Sequence, residues 1–285
     1  MPMQVFESAR DLAAFLAPMR THGKRVALVP TMGNLHTGHY SLIAIAKKHA
    51  DVVVASVFVN PTQFGPKEDF ARYPRTPDAD TAGLASHGCD ALFMPGVDAM
   101  YPYGIADTVR VHVPGFDNVL EDAVRPGHFD GVATVVSKLF NLVRPDVAVF
   151  GRKDYQQLLV IRRLTVDLGY PIEIVDAPTA REPSGLAMSS RNQYLDAEQR
   201  ASAAFIHETL RRMQAEVHQG AISHAAIEAN AEKGLREKGF DPDYAAIRRA
   251  DDLGPPAVGQ SRALIALIAA KLGPTRLIDN FLLDE

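Results

Sequence analysis

The chain has 285 residues, 47% hydrophobic and 22% charged, a balance typical of a globular enzyme with one large or two modest domains. Its formal net charge of −4 argues against a broadly basic nucleic-acid-binding surface. The single cysteine, Cys89, excludes a disulfide framework and disfavours a cysteine-built zinc site. The sequence shows neither an apolar run of the ~20 residues that span a membrane nor a secretory signal, so we expect a cytoplasmic protein without membrane partners.

Short apolar runs rich in β-branched residues alternate with helical patterns over the first part of the chain. The predicted strands are 26–29, 52–59, 91–94, 109–113, 147–150 and 172–175. The predicted helices are 11–21, 40–50, 80–87, 132–142 and 155–168. This alternation predicts an α/β fold with a doubly wound parallel sheet and helices on both faces.

The pattern changes after about residue 178. Two long charged amphipathic helices are predicted at 197–219 and 225–238, followed by candidate strands at 263–269 and 276–278. We therefore predict two domains. Residues 1–177 form the doubly wound domain, and residues 178–285 form a smaller α+β domain able to close over it as a lid.

The segment that follows the first predicted strand carries the strongest functional signal. Pro30 is expected to end the strand, Gly33 and Gly38 to permit a tight turn, and His36 and His39 lie three residues apart. Strand, glycine-bearing turn and helix present backbone N–H groups and a helix N-terminus to a phosphate, and two imidazoles add donors. The segment predicts nucleotide binding. A zinc site is the alternative, but the sequence offers no obvious third ligand.

Polar residues also follow the later strands, at the sheet edge where ligands of doubly wound sheets bind. Lys153 supplies a point charge for phosphate oxygens, and Arg191 can fork onto a phosphate beside the hydroxyls of Ser189 and Ser190. Gln63 and Gln157 are neutral amides, which suit a hydroxyl- and carboxylate-bearing substrate that must stay reactive.

Each of these segments also has a purely structural interpretation. Asn60-Pro61 is a common turn, Asp154 can cap a helix, and 189–191 can be a polar loop. Taken singly, those interpretations are the more frequent ones. Their recurrence after successive strands favours a composite site.

Seven motifs along the chain occur in combination: PTMGNLHTGH (30–39), VFVNPTQF (57–64), YPRT (73–76), RPGHF (125–129), KLFN (138–141), KDYQQ (153–157) and MSSRN (188–192). The first motif alone indicates only a wider superfamily, which includes class I aminoacyl-tRNA synthetases and small nucleotidyltransferases. Together, the motifs resemble the pantothenate synthetase (pantoate–β-alanine ligase) family over essentially the whole chain.

The resemblance implies a Rossmann-like first domain, a homodimer, and ATP with magnesium as the nucleotide substrate. It implies an ATP-dependent ligase that condenses pantoate with β-alanine through a pantoyl adenylate. Gln63 and Gln157 would hold pantoate, His39 stands where the family has a proton donor, and Ala180 stands where it uses a main-chain contact near adenine. Catalytic roles fall to His36, His39, Lys153, Ser189, Ser190 and Arg191. The ATP-binding positions are Met32, Gly33, Asn34, Leu35, His36, Thr37, Gly38, His39, Gly151, Arg152, Lys153, Asp154, Ala180, Met188, Ser189, Ser190 and Arg191.

Two positions depart from the family pattern: Arg152 stands where Glu is common, and Asp130 where Arg or Lys is common. Residues 66–72, with Gly65, Pro66, Lys67 and Asp69 in or next to this segment, are expected to form a flap over the reaction. The sequence nominates no magnesium ligand; Asp80 is considered, but a solvated helix position is the favoured interpretation.

Three other functions compete with this one. A small nucleotidyltransferase would share the first motif but not the paired glutamines or MSSRN. A tRNA-charging enzyme would need an RNA-binding appendage. A nucleotide sensor without catalysis would not need Lys153 and the histidines together.

Overall fold

The computed structural model describes residues 2–66, 68 and 70–285. The chain divides into two compact units. The first comprises Met1–Gly151 with Val160–Ala177, and the second comprises Arg152–Leu159 with Pro178–Glu285. Residues 152–159, which the division at residue 178 assigned to the first domain, therefore group with the second.

The first unit is built on a parallel sheet of six strands among the described residues, in the order β1-β4-β3-β2-β5-β6. Strand β2 lies between β3 and β5, so the chain order reverses there. Such a reversal is where open α/β sheets bind ligands beyond the carboxyl ends of their strands. The α/β prediction is confirmed. The strands are β1 Gln4–Phe6, β2 Val26–Thr31, β3 Val52–Val57, β4 Ala91–Phe93, β5 Val147–Gly151 and β6 Glu173–Ala177.

Helices cover this sheet through apolar faces spaced three and four residues apart. Helix α2 buries Leu42, Ile43 and Ala46 in a cluster with Val29 and Val149 of the sheet. The helices, in chain order, are α1 Ala9–Thr21, α2 Thr37–His49, α3 Pro77–Ser86, α4 Val97–Met100, α5 Glu121–Val124, α6 His128–Val143 and α7 Tyr155–Asp167.

Three predictions about local structure were wrong. Pro30 does not end β2, which pairs with β3 through Thr31. Helix α2 begins at Thr37 rather than residue 40, so Gly38 lies inside its first turn. Residues 109–113 form no strand: Val109 is 80% exposed, and the Val111 N–H donates to the Thr134 hydroxyl instead of to a neighbouring strand.

The second unit packs helices against an antiparallel sheet in the order β7-β8-β9. The core joins Leu210, Met213 and Leu235 of the helices to Ile247 and Ile268 of the sheet. The predicted helix 197–219 is interrupted at Ala204, and β7 was not predicted. The elements are α8 Ala197–Ala203, α9 Phe205–Gln219, α10 His224–Glu237, β7 Asp241–Arg249, β8 Leu264–Leu272 and β9 Thr275–Leu282. Across the described residues, none of the helices is long and apolar enough to cross a membrane.

Candidate active site

The two histidines of the first motif close the N-terminus of α2. His36 is the N-cap residue, and its Nδ1 accepts the N–H of Gly38 at 3.2 Å. His39 Nδ1 accepts the N–H of His36 at 3.3 Å. The two rings lie 4.1 Å apart between centroids. A pair of imidazoles thus takes the capping role that Ser, Thr or Asp usually fills.

This capping fixes the protonation of both rings. An Nδ1 that accepts a backbone N–H carries a lone pair, so each ring is neutral with its proton on Nε2. Both histidines therefore carry their proton on Nε2 at a helix N-terminus, where the helix dipole favours negative charge.

The backbone of the motif is held by Asp80 from the first turn of α3. Its Oδ2 accepts the N–H of Asn34 at 2.9 Å, and its Oδ1 accepts the N–H of Leu35 at 2.8 Å and the hydroxyl of Thr76 at 3.1 Å. Asp80 is only 2% exposed, so the expectation of a solvated helix position was wrong. Gly33 is required beside it, since its φ is +83° and a Cβ there would lie 2.9 Å from Asp80 Oδ2.

The backbone N–H groups of the first motif already have partners within the protein. The N–H of Gly33 donates to the Thr31 hydroxyl, those of Asn34 and Leu35 to Asp80, and those of His36 and Gly38 to imidazole Nδ1. The sequence led us to expect these N–H groups to face a phosphate. They are instead paired within the protein.

Gln63 lies after β3 and is oriented by Asn60. Asn60 Nδ2 donates to Gln63 Oε1 at 3.0 Å, while Asn60 Oδ1 accepts the Tyr101 hydroxyl at 2.6 Å. Gln63 Nε2 donates to Met32 Sδ at 3.2 Å, which brings this glutamine and the first motif together. Gln63 is 7% exposed, and its side chain therefore has a defined orientation.

In the second unit, residues that follow β5 are anchored by Asn280 of β9. Asn280 Nδ2 donates to the carbonyl oxygens of Arg152 at 2.9 Å and Lys153 at 2.8 Å. The Lys153 ammonium lies 3.6 Å from the Asp154 carboxylate. Gln157 is half-buried in the first turn of α7, and Gly151 is the last residue of β5 in the first unit.

Residues 188–191 form a second ordered segment of this unit. The Met188 N–H donates to the Ala180 carbonyl at 2.9 Å, which joins two predicted ATP positions. Ser189 caps a short 3-10 helix, Ser190–Tyr194, by accepting the Arg191 N–H at 3.3 Å. Asn192 fastens the segment from behind, because its Nδ2 donates to Glu182 Oε1 and to the Ala187 carbonyl.

The two departures from the family pattern each have a local partner. The Arg152 guanidinium forms an ion pair with Glu285. Asp130 accepts from His112 Nδ1 at 2.9 Å and raises the pKa of that histidine. Each reversed charge is thus matched within its own unit.

Sequence reasoning missed the residues that support the site: Asp80 as the holder of the loop backbone, and Asn60 and Asn280 as orienting amides. Of the predicted flap at 66–72, Lys67 and Asp69 lie outside the described residues. In the part of the chain that the structure describes, no three His, Cys, Asp or Glu side chains cluster as metal ligands. The zinc alternative for His36 and His39 therefore gains no support.

Comparison with known proteins places the chain in a family. The model of the pantoate-β-alanine ligase family matches residues 4–282. The pantothenate synthetase of Xylella fastidiosa (strain M12) is 59% identical, over 94% of this chain and 95% of that relative. That of Stenotrophomonas maltophilia (strain R551-3) is 56% identical, over 98% and 99%.

Solved structures agree. Pantothenate synthetase from Thermus thermophilus matches with a TM-score of 0.91 and 46% identity, covering 99% of both chains. Pantoate-β-alanine ligase from Francisella tularensis, complexed with β-γ ATP and β-alanine, matches with a TM-score of 0.83 and 33% identity over 99% of this chain and 98% of that one. The chain therefore belongs to the pantoate-β-alanine ligase family.

Proposed function

We propose that this protein is a pantoate–β-alanine ligase (AMP-forming), EC 6.3.2.1, which condenses (R)-pantoate with β-alanine to give pantothenate, AMP and pyrophosphate. The observation that carries the proposal is the family match over residues 4–282. The relative crystallised with β-γ ATP and β-alanine supports both as substrates of this chain.

In the first half-reaction, a pantoate carboxylate oxygen attacks the α-phosphorus of ATP. The bond from that phosphorus to the bridging oxygen of pyrophosphate breaks, leaving pantoyl adenylate. Negative charge gathers on the phosphates, and the Nε2–H groups of His36 and His39 donate to it. Lys153 and Arg191 supply positive charge. Removing one such preorganised donor typically costs about 2.7–4 kcal/mol of barrier.

In the second half-reaction, the unprotonated amine of β-alanine attacks the acyl carbon, AMP leaves with the electron pair of the broken acyl–oxygen bond, and the nitrogen releases one proton to solvent. AMP is a stable anion, so this step depends on placement of the amine more than on a strong acid. Water must be excluded because an acyl adenylate hydrolyses readily. The proposal gives this task to residues 178–285 as a lid and to the flap at 66–72.

Pantoate is held by neutral amides. We assign the second Nε2–H of Gln63 to the pantoate carboxylate or hydroxyl, since Asn60 and Met32 fix the orientation of this amide. Gln157 supplies a further amide. A neutral donor orients a carboxylate nucleophile without quenching it as a tight ion pair would.

Magnesium enters with ATP as part of the nucleotide substrate. Magnesium usually keeps several waters and binds substrate phosphates with one or two carboxylates, so a preformed cluster of protein ligands is not required. The proposal further includes a cytoplasmic homodimer without nucleic-acid or membrane partners, which rests on the resemblance alone.

The test measures AMP with ATP, pantoate and β-alanine together and with each acid omitted in turn. We expect AMP release to need both acids, and ATP–pyrophosphate exchange to need pantoate only. AMP release that does not depend on β-alanine, or nucleotidyl transfer that does not depend on it, would contradict the proposal.

A further inference from the structure

His128, the first residue of α6, contacts the backbone of Gln63 directly. Its Nδ1 lies 2.8 Å from the carbonyl oxygen of Gln63, and its Nε2 lies 3.1 Å from Nη1 of Arg125. The side chain is buried, with 9% of the residue exposed. The proposed chemistry of pantoate activation gives this histidine no proton to transfer.

The two contacts determine where the imidazole carries its proton. Arginine is a donor only, so the Nε2 that faces Arg125 must accept and carries a lone pair. The carbonyl oxygen of Gln63 is an acceptor only, so the facing Nδ1 must carry the proton. His128 is thus a neutral Nδ1–H donor. This tautomer is opposite to the one that capping imposes on His36 and His39.

Arg125 is itself held in place by Glu68. Its Nε and Nη2 donate to the two carboxylate oxygens of Glu68 at 2.9 and 2.6 Å, a bidentate pair that fixes the guanidinium plane. Burial would raise the pKa of Glu68, but the hydrogen bonds and charge of Arg125 outweigh it and lower that pKa. The carboxylate therefore stays charged and Arg125 stays aimed at His128.

The first turn of α6 also approaches Gln63 through backbone contact. Asn60 Nδ2, which orients the Gln63 side chain, also donates to the carbonyl oxygen of Gly131 at 3.1 Å. A Cβ at Gly131 would lie 2.3 Å from the Thr62 carbonyl oxygen and 2.6 Å from the Gln63 backbone. Nothing larger than glycine fits there. The position of Gln63 is therefore set jointly by Asn60 and by the start of α6.

We propose that His128 is a positioning residue for pantoate binding. Its Nδ1–H bond to the Gln63 carbonyl, with the tautomer imposed by the Glu68–Arg125 pair, holds Gln63 where its amide meets the substrate. The inference rests on the proposed role of Gln63 as a pantoate ligand. It extends that role from the contacting amide to a chain of three further side chains, those of His128, Arg125 and Glu68.

Two substitutions separate the hydrogen bond from mere packing. The Nδ2 of asparagine overlies the Nδ1 of histidine, so His128→Asn retains the donor to the Gln63 carbonyl. The amide of glutamine overlies Nε2, so His128→Gln retains the Arg125 contact and loses that donor. His112→Gln, at an exposed histidine of the same unit, is the control.

We expect His128→Gln to raise the KM for pantoate about tenfold or more, as the loss of one buried hydrogen bond implies, with kcat and the KM for ATP little changed. His128→Asn should stay within about threefold of the parent, which is the small residual change expected when that bond is kept. Equal rises in the two variants, or a rise for ATP as large as that for pantoate, overturn the proposal. A pantoate KM unaffected by Gln63→Ala also overturns it.

The tautomer is read on the unsubstituted protein by 15N NMR of labelled histidine, with the ring resonance assigned by through-bond correlation to the His128 backbone. We expect a neutral ring protonated at Nδ1; a ring protonated at Nε2 overturns the proposal even if neither variant folds. The measurement needs no turnover. A protein that shows the expected tautomer but makes no pantothenate would therefore contradict the proposed function and not this contact.

Discussion

Replacing Asp80 with asparagine tests whether a buried carboxylate sets the shape of the first motif. Asparagine has nearly the same volume, but one of its two oxygens becomes an NH2 group. Both Asp80 oxygens accept backbone N–H groups, from Asn34 and Leu35. In either orientation of the new amide, one of these N–H groups faces another donor.

The expected magnitude follows from that mismatch. A hydrogen bond to a charged group contributes about 1.5–3 kcal/mol, and a buried donor left unsatisfied costs about 1–3 kcal/mol. Allowing for partial relaxation, Asp80→Asn should lower the free energy of unfolding by about 2–4 kcal/mol. If ATP binding requires the native loop, restoring the loop costs up to this same free energy. ATP binding then weakens by at most about 30-fold for a cost of about 2 kcal/mol and at most about 1,000-fold for about 4 kcal/mol. We expect a loss of at least about tenfold.

Urea unfolding and the KM for ATP measure the two effects. Asp78→Asn is the matched control, because Asp78 is exposed in the same first turn of α3 and loses the same helix-dipole interaction of about 0.3–1 kcal/mol. Asp80→Asn that behaves like Asp78→Asn would refute the reasoning. A loss of stability with ATP binding intact would show that Asp80 supports the fold alone.

Three further predictions concern the reacting groups and the buried histidine. His39→Ala and Lys153→Ala should each remain folded and lose about 10²–10³ in pantoate-dependent ATP–pyrophosphate exchange, and near-normal exchange would remove that residue from the mechanism. Gln63→Ala should raise the KM for pantoate far more than that for ATP, whereas equal effects would make Gln63 structural. Burial, with help from the Arg125 charge, lowers the pKa of His128 to about 4. On acidification, the unfolded state therefore binds a proton near pH 6.5 that the folded state does not bind until about pH 4. Because of this difference, the free energy of unfolding decreases by about 2 kcal/mol between pH 7 and pH 5. Asparagine does not titrate, so between pH 7 and pH 5 the free energy of unfolding measured in urea should decrease less for His128→Asn than for the parent protein. The same pH dependence in both proteins would contradict the lowered pKa of His128.

Local sequence patterns predicted the sheet and the edge where the motifs gather. The runs at 26–29, 52–57 and 147–150 are buried on both faces of a parallel sheet, which makes them continuously apolar and easy to recognise. Chain reversal around β2 then brings the ends of β2, β3 and β5 together. Periodicity and strand order were therefore sufficient to place the first motif and Gln63 at one edge.

The same patterns failed where a tertiary contact decides the conformation. The β-branched run 109–113 alternates like a strand, but its backbone bonds to the Thr134 side chain. Strand β7 carries Pro242 and charged residues at both ends, and its register shifts beside that proline. Pairing with the apolar strand β8 overrides this weak local preference.

The supporting residues of the site were invisible to sequence reasoning for a related reason. Asp80 lies 46 residues from Asn34, and His128 lies 65 residues from Gln63. A buried aspartate in a helix's first turn has the same sequence appearance as a solvated one, since both suit the helix dipole. Only burial and the direction of the carboxylate distinguish the two cases.

The paired backbone of the first motif has a consequence for how charge is divided in the proposed reaction. Asp80 places a negative charge against the N–H groups of Asn34 and Leu35, so a phosphate gains nothing from these two groups without displacing it. The neutral rings of His36 and His39 supply directed donors but no positive charge. In the proposed reaction, cationic compensation for ATP is therefore assigned to magnesium, Lys153 and Arg191. Orientation and charge neutralisation thus fall to different parts of the chain, and the effect of losing a histidine should depend on ionic strength far less than the effect of losing Lys153.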